Sequence, residues 1–184
     1  MADANTEVTL PQLQEAIAAA IRAAFPDFRM VEFDRDDEDE AIATPACLLH
    51  FVEAEPDPDS DAGTGQWCAR ARFEARVLTN ARKTDRVDVK VFAVALAAWL
   101  NLRRFAGVFA DPCQVIACEP DEFAPNVEKF RVWRVEFVIP AMFGNSAWLQ
   151  DGETPQSFFS FAPYIGIPHE PAYSPIEGPI EVDP

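Results

Sequence analysis

The chain has 184 residues, 49% of them hydrophobic and 25% charged, a composition that builds a folded core and excludes a disordered polymer. That length holds one ordinary domain with an appendage and is short for two. With 31 acidic against 15 basic residues the net charge is -16, which excludes general attraction to DNA, RNA or anionic lipid, because a phosphate polyanion is repelled over most of the surface.

Residues 1–8 read as a flexible N-terminus. "TLPQLQEAIAAAIRAAFP" then opens with Thr9, carries Gln12 three residues later and places Pro11 in the first turn, where its missing N–H is harmless. The pattern predicts a helix with Leu10, Leu13, Ile17, Ala20, Ile21 and Ala24 on one face, ended by Pro26. Its apolar run is broken by Arg22 and has no basic leader, so it predicts neither export nor membrane spanning, and a protein made in a cytoplasm.

"RMVEFD" reads as a short strand, followed by the acidic loop "DRDDEDEAIATP". "ACLLHFVEA" is apolar on both faces, as a covered central strand is. The Pro, Asp and Gly residues of "EPDPDSDAGTGQ" predict an exposed loop, and "WCARARFEARVL" alternates so regularly that it reads as the second arm of a hairpin. Trp67, Ala69, Ala71, Phe73, Ala75 and Val77 are expected to enter the core, with Cys68, Arg70, Arg72, Glu74 and Arg76 on the other face.

After the polar turn "NARKTD", Thr84 or Asp85 can cap a second helix through "RVDVKVFAVALAAWLNLRRF", with Arg103 and Arg104 suiting its C-terminal dipole. "CQVIACEP" and "FRVWRVEFVIPA" give two more strands. The order α-β-β-β-α-β-β predicts an α+β fold: a mixed, mostly antiparallel sheet of about five strands with two helices packed on one face, over residues 9–141. From 142 to 184 there are frequent prolines and aromatics and no Lys or Arg. This predicts an extended arm whose Trp148, Phe158, Phe159, Phe161, Tyr164 and Tyr173 dock on its own body or on a neighbouring chain, with a simple disordered extension as the alternative.

Catalytic chemistry is thinly represented. Cys47, Cys68, Cys113 and Cys118 form no C-x-x-C pair, and neither His50 nor His169 stands at a metal-ligand spacing from them. An EF-hand loop starting at Asp34 places Asp39 where glycine is needed and Pro45 where the bidentate glutamate belongs. "GTGQ" precedes a strand instead of a helix, so it lacks the helix N-terminus that binds phosphate. His50 in its apolar strand reads as structural. The expectation is therefore a chain that is not an enzyme, with no metal and no cofactor.

Charge placement says more. Residues 32–61 hold twelve acids, among them Asp34, Asp36, Asp37, Glu38, Asp39 and Glu40, against Arg35 alone, while residues 70–90 hold seven of the fifteen bases. Such segregation suits a head-to-tail contact in which an acidic edge meets the basic face of the next subunit, with Arg70, Arg72, Arg76, Arg82 and Arg86 as interface candidates. Pairing of neighbouring strands and loops inside one subunit accounts for it equally well.

The order of elements, the strand ending "ARVLTN" with Asn80, the Ala-rich helix "DVKVFAVALAAWL" with Trp99 and the last strand "VWRVEFVI" together resemble the tail terminator proteins of long-tailed bacteriophages, over residues 9–145. The likeness is to the lambda-type terminator and its Mu-like and contractile-tail relatives. It implies a structural virion protein of the tail and neck, made in the host bacterial cytoplasm. Its subunits form a hexameric ring that caps the tail tube, ends tube polymerisation and offers the docking surface for the head connector. The implied partners are further copies of the chain, the tail tube protein, the head-tail connector and, in contractile relatives, the sheath protein; no membrane is involved. DNA passes through the lumen without specific binding, and an acidic lumen formed by residues 34–40 is expected not to hold it. A head-tail connector or tail-completion protein is the neighbouring reading, and a small soluble enzyme or ligand-binding domain the reading from another class.

Overall fold

The computed structural model describes residues 7–34, 42–61, 63–81, 88–121, 130–146, 158–159, 161, 163, 165 and 167–175. Helix α1 spans Leu10–Ala24. The Gln12 N–H donates to Thr9 Oγ1 at 3.4 Å, while the Thr9 N–H donates to Gln12 Oε1 at 3.1 Å, so both halves of the expected capping box form. Strands β1 (Met30–Phe33), β2 (Ala46–Pro56) and β3 (Trp67–Asn80) follow, then helix α2 (Val89–Leu100) and strands β4 (Gln114–Pro120) and β5 (Phe130–Phe143). The five strands form one mixed sheet in the order β1-β2-β3-β5-β4, parallel at β1–β2 and antiparallel elsewhere. The fold is therefore α+β with the element order α-β-β-β-α-β-β.

Both helices pack on one face of this sheet. Leu13, Ile17 and Ile21 of α1 and Ala93, Leu96 and Leu100 of α2 share one buried cluster with Ala71, Phe73, Ala75 and Val77 of β3 and Val135, Phe137 and Ile139 of β5. Phe73 sits at its centre, its ring stacked 5.6 Å from Phe137 and within 5.9 Å of Phe33 and Phe51. On the helix-free face a smaller cluster joins Ala46, Leu78 and Val132, which stand opposite one another across β2, β3 and β5.

Several expectations are corrected. Trp67 faces the helix side but is 49% exposed, because alternation sets the face of a side chain and not how far the helix layer extends over it. Its ring instead meets Phe143, its cross-strand partner, at 5.9 Å. β1 pairs with β2 only over Ala46–Leu49; beyond it β2 is an edge strand in which Phe51 still packs on Phe73 but Val52, on the opposite face, is 46% exposed. Helix α2 is shorter than the sequence predicts: Asp88 is its cap, its side chain accepting from the Lys90 N–H at 3.2 Å, and the helix ends at Leu100. Arg103 lies beyond that end, yet its Nε donates to the Trp99 carbonyl at 3.3 Å and its guanidinium stacks 3.9 Å over the Trp99 ring. Thr84 and Asp85 lie outside the described residues. Val8, expected in a flexible segment, is buried and bridges Phe143.

The chain divides into two compact units, residues 1–148 and 149–184. In the second, strands β6 (Phe158–Phe159) and β7 (Ser174–Pro175) pair antiparallel, and a 3-10 segment spans Ile167–Ala172 with Pro171 inside it. The arm is thus not purely extended. Short 3-10 and edge-strand geometry tolerates the prolines that a long helix or a central strand rejects. Phe161 is exposed; Trp148 and Tyr164 lie outside the described residues.

Candidate functional site

Across the middle of the helix-free face, β2, β3, β5 and β4 present a band of charge. Alternate residues of a strand share a face, so Arg70, Arg72, Glu74 and Arg76 of β3 stand in one row beside Arg134 and Glu136 of β5. The register sets Glu74 opposite Glu136 and Arg76 opposite Arg134. Like charges directly opposed repel, so the attractive pairs form on the diagonals. Arg72 Nη1 donates to Glu136 Oε1 at 3.0 Å, and Arg134 Nη1 donates to Glu74 Oε1 at 3.1 Å.

The lattice continues to both sides. On β2, Glu53 lies 3.3 Å and Glu55 3.8 Å from the Arg72 guanidinium. Arg76 lies 3.2 Å from Glu74 Oε2 and 2.9 Å from Asp121 Oδ2, and Arg134 also reaches Glu119 at the end of β4. Three guanidiniums therefore meet six carboxylates within one chain, so this face is net acidic even where its arginines line up. The hydrogen bond to Glu119, helped by the fields of Glu74, Glu119 and Glu136, raises the Arg134 pKa above its ordinary value despite burial.

For two of the five candidate arginines the geometry shows carboxylate partners within the subunit. Arg72 and Arg76 are paired inside the subunit. Arg70, opposite Glu55, is exposed and forms no ion pair among the described residues, while Arg82 and Arg86 lie outside them. Of the acidic loop, Asp34 accepts from Gln14 Nε2 at 3.1 Å and lies 3.6 Å from His50 Nδ1. Asp36, Asp37, Glu38, Asp39 and Glu40 lie outside the described residues. Sequence reasoning missed the partners Glu74, Arg134, Glu136, Glu119 and Asp121. The signal was the matching alternation of Arg134 and Glu136 with Arg72, Glu74 and Arg76, which becomes readable only once β5 is known to lie beside β3.

The band's chemistry is that of a bracing lattice. Every carboxylate named in it is engaged by a guanidinium, and side chains of Glu74 and Glu136 are 14% exposed. His50 borders it; burial, then the charge of Arg76, hold its pKa below the ordinary value against Asp34 and Glu74. Burial pushes the Cys47 and Cys113 thiols up to about 12, and those of Cys68 and Cys118 upward, so neutral thiols and not thiolate nucleophiles are present at neutral pH. Among the described residues no group of His, Cys, Asp and Glu is arranged to hold a metal ion, and no helix is long and apolar enough to cross a membrane. An open depression of about 480 Å³ near the start of α2 is lined by Arg29, Thr44, Thr79, Asn80 and Phe92 among others, without a histidine or a thiol. No protein-family model matches the sequence, and no curated protein matches it.

Proposed function

We propose that this chain is a structural subunit of a virion ring that caps a phage tail tube, ends its polymerisation and presents the surface on which the head connector docks. The observation that carries the reading is the order of elements, α-β-β-β-α-β-β, folded as one mixed sheet with both helices on a single face. That order, together with the stretches "ARVLTN", "DVKVFAVALAAWL" and "VWRVEFVI", is what the resemblance to tail terminator proteins rests on. The surface supports it too. Val91, Val94, Leu102, Phe109 and Ile116 are each at least half exposed in a chain of net charge -16, which leaves apolar side chains available to a neighbouring subunit.

The acidic excess suits a ring around DNA, since a negative lumen repels the polyanion it must let pass. Residues 34–40 are the proposed lumen segment. Arg72 and Arg76 meet carboxylates of their own chain, and their part-exposed side chains stay with Arg70, Arg82 and Arg86 among the proposed ring-contact residues. Electron microscopy of the purified protein tests the reading, with closed rings around an open centre as the expected result. A monodisperse monomer that forms no ring alone or on tube ends overturns it.

A further inference from the structure

The depression near the start of α2 lies where β2 begins and β3 ends. Its walls come from the turn between α1 and β1 (Asp27, Arg29), the residues before β2 (Thr44, Pro45), the end of β3 (Thr79) and α2 (Phe92). The Arg29 N–H donates to the Pro45 carbonyl at 2.8 Å, which ties two of these walls together. The Phe92 ring lies 5.3 Å from that of buried Phe28, which fixes a third. A volume of about 480 Å³ falls within the range of small-ligand sites, roughly 300–1,000 Å³.

Thr79 points to the chemistry. By the alternation of β3 it shares the helix-facing row of Phe73, Ala75 and Val77, and it is 7% exposed. Where those three are apolar, Thr79 brings a hydroxyl that has no hydrogen-bond partner among the described residues. A buried hydroxyl of that kind is completed by water or by a ligand. The charges beside it select the ligand. Arg29 on the rim and Arg131, directly opposite Thr79 on β5, are exposed and form no ion pair among the described residues, in a chain of 31 acids and 15 bases. Two guanidiniums disfavour a cationic ligand, and Asp27 on the same rim offsets one of them, which suits a monoanion better than a phosphate dianion. We infer that this depression binds a carboxylate carried on an apolar stem, with the Arg29 guanidinium and the Thr79 hydroxyl donating to the carboxylate oxygens and the stem lying on Phe92 and Pro45. The planar guanidinium matches a carboxylate with two parallel N–H donors, and the hydroxyl hydrogen turns to whichever acceptor is offered. Two sources supply such a group: a free small organic acid, or an acidic side chain of a second copy. The site is independent of tube capping and stands or falls without it.

The probe is 3-phenylpropionate, titrated against the full chain by ligand-observed NMR, with 3-phenylpropionamide and inorganic phosphate as controls. The acid is expected to bind with a dissociation constant of about 1 mM, the scale for a ligand of its size, and both controls at least about tenfold more weakly. Arg29→Gln, at an exposed position, should weaken the acid by about tenfold or more, the scale of one hydrogen bond to a charged group. Thr79→Val replaces the hydroxyl by a methyl group. Because that hydroxyl has no partner within the described fold, the variant should keep or raise the thermal midpoint while also weakening the acid by about tenfold. A merely structural threonine would show the reverse, a lower midpoint with unchanged binding, and that result overturns the proposal. So do equal binding of acid and amide, tighter binding of phosphate, affinity untouched by either variant, and the lack of saturable binding. Unchanged far-ultraviolet circular dichroism checks that both variants fold. Light scattering then separates the two sources: self-association lost both with saturating probe and in Arg29→Gln assigns the site to an acidic side chain of a second copy, and an unchanged mass assigns it to a free acid.

Discussion

Replacing Arg72 by methionine keeps most of the side-chain volume and removes the guanidinium from among Glu53, Glu55 and Glu136. Glu136 suffers most, because its side chain is 14% exposed and its 3.0 Å hydrogen bond comes from Arg72. Removing one partner of a fully buried ion pair costs about 3–5 kcal/mol, and of an exposed pair at most about 1 kcal/mol. Arg72 is 32% exposed and its Nε lacks an aligned acceptor among the described residues, so solvent screens part of the loss. The expected cost is about 2 kcal/mol, which for a chain of this size lowers the thermal midpoint by roughly 4–8 °C. Calorimetry at pH 7, with urea denaturation as a second probe, measures it. Arg70→Met is the control: an exposed arginine without an ion pair among the described residues should change stability by no more than about 0.5 kcal/mol. An Arg72→Met protein as stable as wild type, but weaker in self-association, would refute the reasoning and move that arginine to a subunit interface.

Three further outcomes follow from the core and from the perturbed groups. Cys47 and Cys113, fully buried, should resist a thiol reagent in the native protein and react on unfolding, while partly exposed Cys118 reacts first; immediate modification of all four would contradict the burial. The His50 pKa is lowered in the folded state, so the unfolded chain binds more protons as pH falls below the ordinary value of 6.5 and stability declines there. His50→Gln should flatten stability between pH 7.5 and 5.5 (~2 units spanning the ordinary histidine pKa), and an identical slope in both proteins removes histidine as the cause. Phe73→Ala, which empties a site of zero exposure among Phe33, Phe51 and Phe137, should cost about 3–5 kcal/mol in urea denaturation, and a loss below about 1 kcal/mol would show that the core collapses around the gap.

What was legible in the sequence was local. Thr9 and Gln12 announce the start of α1 because a capping box lies within four consecutive residues, and the alternation of β3 places Phe73 and Arg72 on opposite faces through backbone geometry alone. The hairpin of β2 and β3 was readable from the turn-rich loop between them. What failed depended on alignment between distant segments. Arg72 finds Glu136 because β5 lies antiparallel to β3 with Val138 opposite Arg72, and no local pattern states that register. The start of α2 was misplaced because Thr84, Asp85 and Asp88 are all good caps, and burial of Val89 against the core favours the last. The outer side of α2 is hidden for a related reason: Val91 and Val94 look like core residues until the packing of Ala93 and Leu96 shows which side of the helix is outside.

The central claim is that this chain ends a growing tube. Its most direct measurement is a length distribution, by electron microscopy, of tubes grown from a phage tail tube protein with increasing amounts of this chain. Mean length is expected to fall with added chain and one ring to sit at a single end of each tube, without DNA binding in the same buffer. Tubes of unchanged length with no end-bound ring, at ratios well above one ring per tube, would contradict it.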